Sequence, residues 1–337
     1  MTHSELSDLG WSDTTAIPDG AAAMRVTAVH RSQVDLLGTD GPTRAPVFAE
    51  PLAVGDWVFV TEGRITALVP RKSFLARRAA GEGRAAQPIA ANVDTLGIVS
   101  SCNADFNVAR IERYVAMALQ GDCLPLVILT KADLCDDPRG FRQQAERISP
   151  LVTAMTLNAR DPEEARSLDP WCRNGQTLAL VGMSGVGKTT LQNALTGEEA
   201  ATAGIREDDA RGRHTTTNRM MRRTLAGGWL IDTPGMRELG LTDVAEGIAE
   251  VFSDITDLAP SCRFRDCAHD GEPGCAVTAA VEEGQLDPDR LDRWRKLQRE
   301  DQINSETIAE GRARHKSRQK LYKTGAAQGR AKRSGLE

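Results

Sequence analysis

The sequence predicts a multidomain α/β protein with a small β-barrel, and three observations lead to this prediction. Short apolar or alternating runs separated by glycines occupy residues 24–75. From residue 91 onward, buried-type strands alternate with helical patterns, which is typical of βαβ units in a mainly parallel sheet. Three cysteines and a histidine then cluster within residues 262–275, a spacing typical of a small metal-binding helical module.

Composition narrows the class of protein. At 337 residues the chain is long enough for two or three domains, and it contains no apolar run as long as a membrane span. Residues 1–20 lack the basic and apolar regions of a secretory signal, so the sequence predicts a cytoplasmic protein. The seven cysteines are an odd number and unevenly spaced, which argues against a disulfide framework.

The first folded unit is predicted from strand patterns at residues 25–29, 33–37 and 56–60. About five strands in about fifty residues fit a small barrel such as the OB-fold. Such barrels often bind nucleic acid, and a basic run at residues 71–84 follows this one. Aromatic residues are few, so a purely structural barrel is an equally good interpretation of this segment alone.

The next unit centres on a glycine-rich loop, G-x-x-x-x-G-K-[ST], that follows an apolar strand at residues 177–181 and precedes a helix. Such a loop aims backbone N–H groups and the positive end of the helix dipole at a polyphosphate. We expect Lys188 to reach the β and γ phosphates and Thr189 to complete the shell of a Mg²⁺ ion. The predicted phosphate-binding residues are Gly182, Met183, Ser184, Gly185, Val186, Gly187, Lys188, Thr189 and Thr190.

A second motif, Thr130-Lys131-Ala132-Asp133, follows a predicted strand at residues 124–129, and a helix is predicted over residues 107–120 before that strand. A carboxylate at the end of a parallel strand accepts from both guanine N–H groups, an arrangement that adenine does not offer. The motif resembles the N-K-x-D motif of GTPases, with Thr130 in place of Asn, and predicts guanine binding by Thr130, Lys131 and Asp133. Residues 157–160 are either a base-backing loop or an ordinary strand-to-loop junction.

A third motif, Asp232-Thr233-Pro234-Gly235, ends a short strand and looks like D-x-x-G. Asp232 would hold Mg²⁺ through a water, and the Gly235 N–H would sense the γ-phosphate. Residues 211–217 lie in the position of switch I, and either Thr216 or Thr217 is expected to close on the Mg²⁺.

The order of these motifs is unusual, because the base-reading motif precedes the phosphate loop instead of following it. This order is a circular permutation. With a barrel before and a Cys/His cluster after, the motifs resemble those of the RsgA (YjeQ) family of GTPases that depend on the small ribosomal subunit, over roughly residues 24–300. The resemblance implies a GTPase that binds the small (30S) subunit and its 16S rRNA and assists late maturation of that subunit. It also implies hydrolysis of GTP to GDP and phosphate that the subunit stimulates.

The Cys/His cluster is predicted to hold one structural Zn²⁺, because three thiolates and an imidazole suit a closed tetrahedral site. In the resembled family this cluster binds zinc. The alternative is three reduced cysteines beside a surface histidine. The predicted ligands are Cys262, Cys267, His269 and Cys275.

The hydrolytic residue is not where Ras-like GTPases place it. They orient the attacking water with a Gln directly after D-x-x-G, and this chain has Met236 there. His214, in the switch I segment, is the candidate, since the resembled family's histidine in the motif G-R-H-T-T-T is proposed for this role. The alternative is a histidine that packs locally or contacts the partner.

The C-terminal tail is strongly basic, with nine Lys or Arg and one acid in residues 311–337, while the whole chain has a net charge of −5. Such a tail is suited to nucleic acid, although a solvated tail without a partner is the alternative. We also expect the last helix, at about residues 289–304, to pack on the zinc module, and the protein to be a monomer. The predicted divisions are a disordered segment at 1–22, an OB-fold-like RNA-binding barrel at 23–78, a circularly permuted GTPase domain at 79–250, a zinc-binding domain at 251–308 and a basic disordered tail at 309–337.

Two rival functions stay open at this stage. One is a non-enzymatic RNA- or ribosome-binding module in which GTP only sets the conformation, and Met236 keeps this rival in play. The other is an ATP-using P-loop enzyme, which Asp133 and the D-T-P-G motif disfavour.

Overall fold

The structure is a computed structural model that describes residues 3–12, 15–78, 86–198, 220–233 and 244–305. Within these ranges, no helix is both long enough and apolar enough to cross a membrane. The described chain contains a curled antiparallel sheet, a mainly parallel sheet between helices, and a helical C-terminal segment.

The first sheet, here called the N-terminal β-unit, covers residues 22–68. Its strands are β1 (Ala22–Val29), β2 (Gln33–Gly38), β3 (Gly41–Pro46), β4 (Trp57–Thr61) and β5 (Arg64–Leu68). They pair antiparallel in the order β3-β2-β1-β4-β5, and the end strands β3 and β5 contact each other. The sheet therefore curls over an apolar core that includes Val26, Val34 and Val58. The three strands predicted for this segment are confirmed.

A hairpin connects the N-terminal β-unit to the next sheet. It consists of β6 (Phe74–Arg78) and β7 (Ala86–Ala91). The Ala91 N–H donates to the carbonyl oxygen of Val54, and the Phe74 N–H donates to that of Gly121. The hairpin thus contacts both of its neighbours.

The second sheet carries the predicted βαβ units. Its strands are β8 (Thr95–Ser101), β9 (Leu124–Thr130), β10 (Thr153–Thr156), β11 (Thr177–Gly182), β12 (Met220–Arg223) and β13 (Trp229–Asp232). The order is β10-β9-β8-β11-β13-β12, and only β12 runs antiparallel to its neighbour in this sheet. Strands β9 and β10, which follow β8 in the chain, lie on one side of it in the sheet, whereas β12 and β13, which follow β11, lie on the opposite side. The carboxyl ends of β8 and β11 therefore form the crevice where open α/β sheets bind ligands.

Both faces of this sheet are covered by helices. Alternate residues along its strands accordingly belong to two different apolar cores. Val127 and Leu129 lie in one core, whereas Leu126 and Ile128 lie in the other. The N-cap Asn107 accepts from the backbone N–H of Arg110 and so starts the predicted first helix. The helices that follow the strands are α2 (Val108–Gln120), α3 (Pro138–Glu146), α4 (Pro162–Ala165) and α5 (Lys188–Thr196), and α1 precedes them at His3–Asp8.

The two sheets are continuous. Strand β1 pairs antiparallel with β12, where Ala28 is opposite Met220. On the other side of β12, Met220 is opposite Asp232 of β13. The described sheet therefore runs without a break from the N-terminal β-unit to the carboxyl end of β13.

The N-terminal segment differs from its prediction, which was disorder over residues 1–22. Helix α1 forms, and the side chains of Leu6, Leu9 and Trp11 are buried. The Trp11 ring meets the Trp57 ring edge-on, with 4.8 Å between centroids. The prediction was wrong for residues 3–12 because it weighed the polar composition and missed three apolar residues that reach a tertiary core.

Arg25 of β1 lies where the N-terminal segment, the N-terminal β-unit and the parallel sheet meet. Its side chain is 1% exposed and donates to the Leu9 carbonyl at 2.6 Å, the Asn92 carbonyl at 3.2 Å and the Thr177 hydroxyl at 2.7 Å. Burial lowers the pKa of Arg25 to about 9, and nearby Asp94 opposes this shift. One buried guanidinium therefore joins three parts of the chain.

The C-terminal segment packs on the parallel sheet through helices. Its helices are α6 (Ala245–Val251), α7 (Ser253–Thr256), α8 (Ala276–Glu282) and α9 (Pro288–Ser305). Trp294 of α9 lies 5.5 Å from the His269 ring, so the predicted packing of the last helix on the Cys/His module is confirmed. The same helix also reaches α2, because Arg293 donates to the fully buried Glu112 at 3.0 Å and Arg290 lies 3.6 Å from it. Burial raises the pKa of Glu112, and the two arginines oppose that shift.

The role of Arg25 leads to a stability prediction. Replacing it in the variant Arg25→Met would leave buried acceptors without a donor, so we expect the free energy of unfolding to fall by about 2–4 kcal/mol. Urea denaturation of the full chain measures this loss. Arg64, exposed on β5, provides the matched control, and Arg64→Met should change stability by less than about 0.5 kcal/mol. Equal losses in the two variants would contradict the role of Arg25.

Candidate nucleotide site and metal centre

The glycine-rich loop joins the end of β11 to the start of α5. Gly182, Gly185 and Gly187 have φ of 145°, 82° and 99°, values that L side chains rarely adopt. A Cβ on Gly182 would lie 2.3 Å from the carbonyl oxygen of Val99 on β8. Glycine at this position therefore lets the loop close tightly against the neighbouring strand, so that the backbone turns into the N-terminus of α5.

Lys188, the first residue of α5, folds back over the loop. Its ammonium group donates to the carbonyl oxygens of Gly182 at 2.8 Å and Met183 at 2.6 Å. The positive charge of Lys188 is thus held beside the loop that is predicted to bind the phosphates.

Thr130 ties the base-reading motif to the phosphate loop. It is fully buried at the end of β9, and its hydroxyl oxygen lies 2.6 Å from the Val186 carbonyl oxygen and 3.0 Å from that of Ser100. A hydroxyl has one proton to donate, and the shorter contact is the one to the phosphate loop. The threonine that departs from the usual Asn of the motif therefore fixes the spacing between two loops.

These loops enclose a pocket of about 150 Å³. Lys131 lines this pocket and has a left-handed backbone conformation, with φ of 59°. Asp133 also lines it, from a short 3₁₀ turn. The loop at residues 157–160 is held beside the motif, since the Ala132 N–H donates to the Leu157 carbonyl oxygen at 3.4 Å. The lining residues are Thr130, Lys131, Asp133, Leu134, Asn158, Ala159, Arg160, Gly185, Gly187 and Thr190.

Leu134 belongs to this pocket and was missed by the sequence reasoning. Its side chain is 76% exposed, and it lines the pocket beside Asp133. An apolar side chain at this position would cover one face of a bound base. No pattern in the sequence separates such a leucine from an ordinary surface residue.

Asp232, at the end of β13, has a carboxylate that is only partly hydrogen-bonded within the described residues. Its Oδ1 atom is buried and has no hydrogen-bond partner among the described residues. Burial raises the pKa of Asp232, while the charges of Lys188 and Arg222 oppose the shift. In the amide orientation that satisfies both of its groups, Gln192 donates to the other carboxylate oxygen at 3.0 Å. The residue therefore fits its predicted role toward a hydrated cation.

Four predicted site residues lie outside the described residues, so their roles stay predictions. They are His214, Thr216, Thr217 and Gly235. Among the described ones, Lys188, Thr189 and Thr190 begin α5, and Asp232 lies two strands from β8 across β11.

The Cys/His cluster is assembled as a four-ligand metal site. The three sulfur atoms and one imidazole nitrogen of Cys262, Cys267, His269 and Cys275 all lie within 4.8 Å of one another. The Sγ atoms of Cys262 and Cys275 are 3.9 Å apart, and they lie 3.5 Å and 3.4 Å from the His269 Nδ1 atom. The cluster thus brings together all four predicted ligands.

The surroundings of the cluster fix its ligands. The backbone N–H groups of Ala276 and Thr278 point to the sulfur atoms of Cys262 and Cys275, at 3.4 Å and 3.3 Å. Glu272 accepts from the backbone N–H groups of Ala268 and Asp270, and so holds the turn between two ligands. Sequence reasoning missed Glu272, because a carboxylate in a Gly- and Pro-containing turn resembles any solvated acid. The backbone N–H groups of Ala276 and Thr278 are donors of the kind that stabilise thiolates over neutral thiols.

The contact between Thr130 and Val186 leads to a binding prediction. The variant Thr130→Val keeps the side-chain shape but removes the hydroxyl, so guanine-nucleotide affinity should fall by about five- to fifteenfold, or roughly 1–1.5 kcal/mol. Titration with a fluorescent GDP analogue measures the change. Thr130→Ser, which keeps the hydroxyl, should bind within about threefold of the natural protein. Weakening by Thr130→Ser that matches Thr130→Val would show that the hydroxyl is not responsible.

Known proteins resemble this chain in sequence and in fold. A family model described as RsgA GTPase matches residues 68–242. A protein named small ribosomal subunit biogenesis GTPase RsgA, from Mesorhizobium japonicum, is 48% identical over 319 residues, which cover 89% of this chain and 91% of the relative. The protein of Vibrio parahaemolyticus named small ribosomal subunit biogenesis GTPase RsgA 2 is 46% identical over 330 residues, which cover 95% and 92%.

Two solved structures share the fold. The crystal structure of YjeQ from Thermotoga maritima aligns with a TM-score of 0.59 at 23% identity, over 82% of this chain and 97% of that one. The structure of YloQ, described as a circularly permuted GTPase, aligns with a TM-score of 0.59 at 21% identity, over 88% and 100%. The permuted motif order predicted here therefore has a structural counterpart. The family match, the identity over most of the chain and the shared fold agree, and the chain belongs to the RsgA GTPase family.

Proposed function

We propose that this protein hydrolyses GTP to GDP and phosphate, binds the small (30S) ribosomal subunit and its 16S rRNA, and assists late maturation of that subunit. One observation carries the proposal above the others: the base-reading loop and the phosphate loop line a single pocket at the carboxyl ends of β9 and β11. A base and its phosphates need these two loops at a fixed spacing, which the buried Thr130 hydroxyl supplies. Membership of the RsgA GTPase family supports the reaction and the partner.

Each part of the nucleotide has a proposed set of residues. Asp133 reads the guanine ring N–H and exocyclic amine, while the loop from Gly182 to Thr189 and the Lys188 ammonium hold the phosphates. Thr189, with Thr216 or Thr217, would hold the Mg²⁺ that accompanies GTP, and Asp232 would hold it through a water. The ion would supply charge neutralisation on the phosphates. The buried Asp232 Oδ1, which has no partner among the residues that the structure describes, supports this assignment, because a metal-bound water is a suitable donor for it.

Hydrolysis then requires a group that positions the attacking water. Met236 follows the D-T-P-G motif and has no side-chain donor or acceptor suited to this task. His214 is the proposed residue, since an imidazole is able to hold a water and accept its proton near neutral pH. It belongs to the predicted switch I segment, on which the small subunit would act when it stimulates the enzyme.

The N-terminal β-unit is proposed to be an OB-fold that contacts RNA. Its order β3-β2-β1-β4-β5, with β3 against β5, supports a five-stranded barrel whose ends meet. The basic tail at residues 311–337 would add phosphate contacts that weaken with salt. The protein is proposed to act as a cytoplasmic monomer.

The Cys/His cluster is proposed to bind one structural Zn²⁺. A tetrahedral ion with Zn–S of about 2.3 Å and Zn–N of about 2.0–2.1 Å separates two sulfurs by about 3.8 Å and a sulfur from a nitrogen by about 3.6 Å. The distances of 3.9 Å, 3.5 Å and 3.4 Å among Cys262, Cys275 and His269 are close to these values. The donor set also suits zinc, because it offers no open position for a substrate.

Zinc is tested by metal content and thermal stability. The purified chain should contain about one zinc ion, and Cys267→Ser should lose it and lower the melting temperature by more than about 5 °C. Cys135→Ser removes a cysteine outside the cluster and should keep both the metal and the melting temperature. Mass spectrometry of the dissolved metal gives the answer. Full zinc retention in Cys267→Ser would rule out this ligand set.

The reaction is tested by GTP hydrolysis with and without purified small subunits. Stimulation of more than about tenfold, or roughly 1.4 kcal/mol of barrier, should be confined to GTP and small subunits, with ATP and large subunits as controls. His214→Ala should remove most of this stimulation while GTP affinity stays within about threefold. A stimulated rate in His214→Ala that stays within about threefold would exclude His214 from catalysis.

A second function is favoured by one observation, the presence of Met236 after the D-T-P-G motif. In this alternative the protein is a non-enzymatic module whose affinity for the ribosome is set by bound GTP. Small subunits that bind in a GTP-dependent way without any rise in hydrolysis would identify it.

A further inference from the structure

A second cavity lies away from the nucleotide pocket, at one end of the N-terminal β-unit. It has a volume of about 420 Å³, within the range of about 300–1,000 Å³ that holds small ligands in proteins. Its walls come from the strands on either side of the β1–β2 turn, the connection between β3 and β4, and the β6–β7 hairpin. It shares no lining residue with the nucleotide pocket.

The floor and mouth of this cavity are apolar. Val34 and Ile89 form buried parts of its wall, at 0% and 1% exposure. At the surface, Val29 and Val47 are 36% and 48% exposed, and the half-buried Phe48 also lines the cavity while packing against the core of the N-terminal β-unit. The cavity therefore offers hydrophobic walls and one aromatic ring to a ligand that enters from solvent.

The rim is polar and of mixed character. The Arg77 Nε–H donates to the Gln87 Oε1 atom at 3.0 Å, which orients both side chains. That bond uses one of the five N–H donors of the guanidinium group and none of those of the Gln87 amide. Glu50 adds an acceptor to the same lining. A ligand with an apolar face and an edge of donors and acceptors matches this arrangement, and a nucleobase is such a ligand.

The position in the fold indicates where the base comes from. In OB-fold proteins the loop between the first two strands contributes to oligonucleotide binding, and Val29 and Val34 flank the corresponding turn at residues 30–32. Arg31 in that turn is an exposed cation suited to a phosphate chain, whereas the exposed Arg44 on β3 is paired with Asp35 at 2.7 Å. RNA strands are read through unpaired bases that leave the stack and meet an aromatic ring and a polar edge.

We propose that this cavity receives one unpaired base of the small-subunit RNA, with Phe48 and the valines against the base face and Gln87, Arg77 and Glu50 at its edge. This inference rests on the proposed function, because it assumes that the small subunit is the partner. It adds a site of base recognition to a contact that would otherwise depend on phosphate charge.

The test uses the full chain, purified small subunits and chemical probing of their RNA. The natural protein should protect an unpaired base from base-specific reagents. Val47→Glu places a carboxylate at the mouth of the cavity and should weaken subunit binding by about tenfold, in line with the loss of one stacked base. At saturation its bound subunits should have the base reactive again while backbone protection persists. Gln87→Ala, which removes an exposed edge donor, should give a smaller loss in the same direction.

The control is Leu151→Glu, which adds the same charge at a residue that is 52% exposed and lies between α3 and β10. It should bind subunits as the natural protein does, and all three variants should keep the natural melting temperature. Val47→Glu that binds like Leu151→Glu with unchanged base protection would overturn the base pocket alone. Failure of the natural protein to bind small subunits would overturn the proposed function. Binding of a free nucleoside monophosphate that Val47→Glu abolishes would point to a nucleotide sensor and overturn the RNA assignment.

Discussion

The arrangement of the whole molecule depends on one buried guanidinium. Arg25 extends from β1 to acceptors on the N-terminal segment, on the chain after the hairpin and on Thr177 at the start of β11. Burying a cation costs free energy unless its donors are hydrogen-bonded. The Nε atom of Arg25 has no partner among the described residues. The three hydrogen bonds of its terminal nitrogens form only when three separate parts of the chain are in place. Because burial of Arg25 without these hydrogen bonds is unfavourable, the three parts are held in one relative placement.

Circular permutation raises a second problem, which the C-terminal segment resolves. The predicted GTPase domain ends at residue 250, soon after Asp232, so the chain needs an anchor at that point. The Val244 N–H donates to the Asp301 carboxylate at 3.1 Å, and Arg293 of the same helix bonds the buried Glu112 on α2. The Cys/His cluster contacts the same helix, because the ring of His269 lies against that of Trp294. One helix therefore fastens the permuted end to the domain it closes.

Local chemistry was predictable from the sequence, and long-range contacts were not. The glycine-rich loop and the four clustered Cys/His residues each depend on short spacings, so their positions on the fold followed from pattern alone. The bond from Thr130 to Val186 joins residues 56 positions apart, and nothing in the sequence pairs them. The same reason explains Trp11, whose burial against Trp57 depends on a partner 46 residues away in a different element. The five strands of the N-terminal β-unit lie between these cases, since their alternation shows in the sequence but their order does not.

The continuity of the two sheets has a mechanical consequence. Ala28, Met220 and Asp232 occupy one row across three neighbouring strands. Two strand spacings, or about 10 Å, therefore separate the N-terminal β-unit from the carboxylate proposed to hold the metal of GTP. The backbone is paired along this row, so a rotation of the N-terminal β-unit reaches β12 through the pairing of Ala28 with Met220. Strand β12 follows the predicted switch I segment, and it therefore connects the N-terminal β-unit to the strand that carries Asp232.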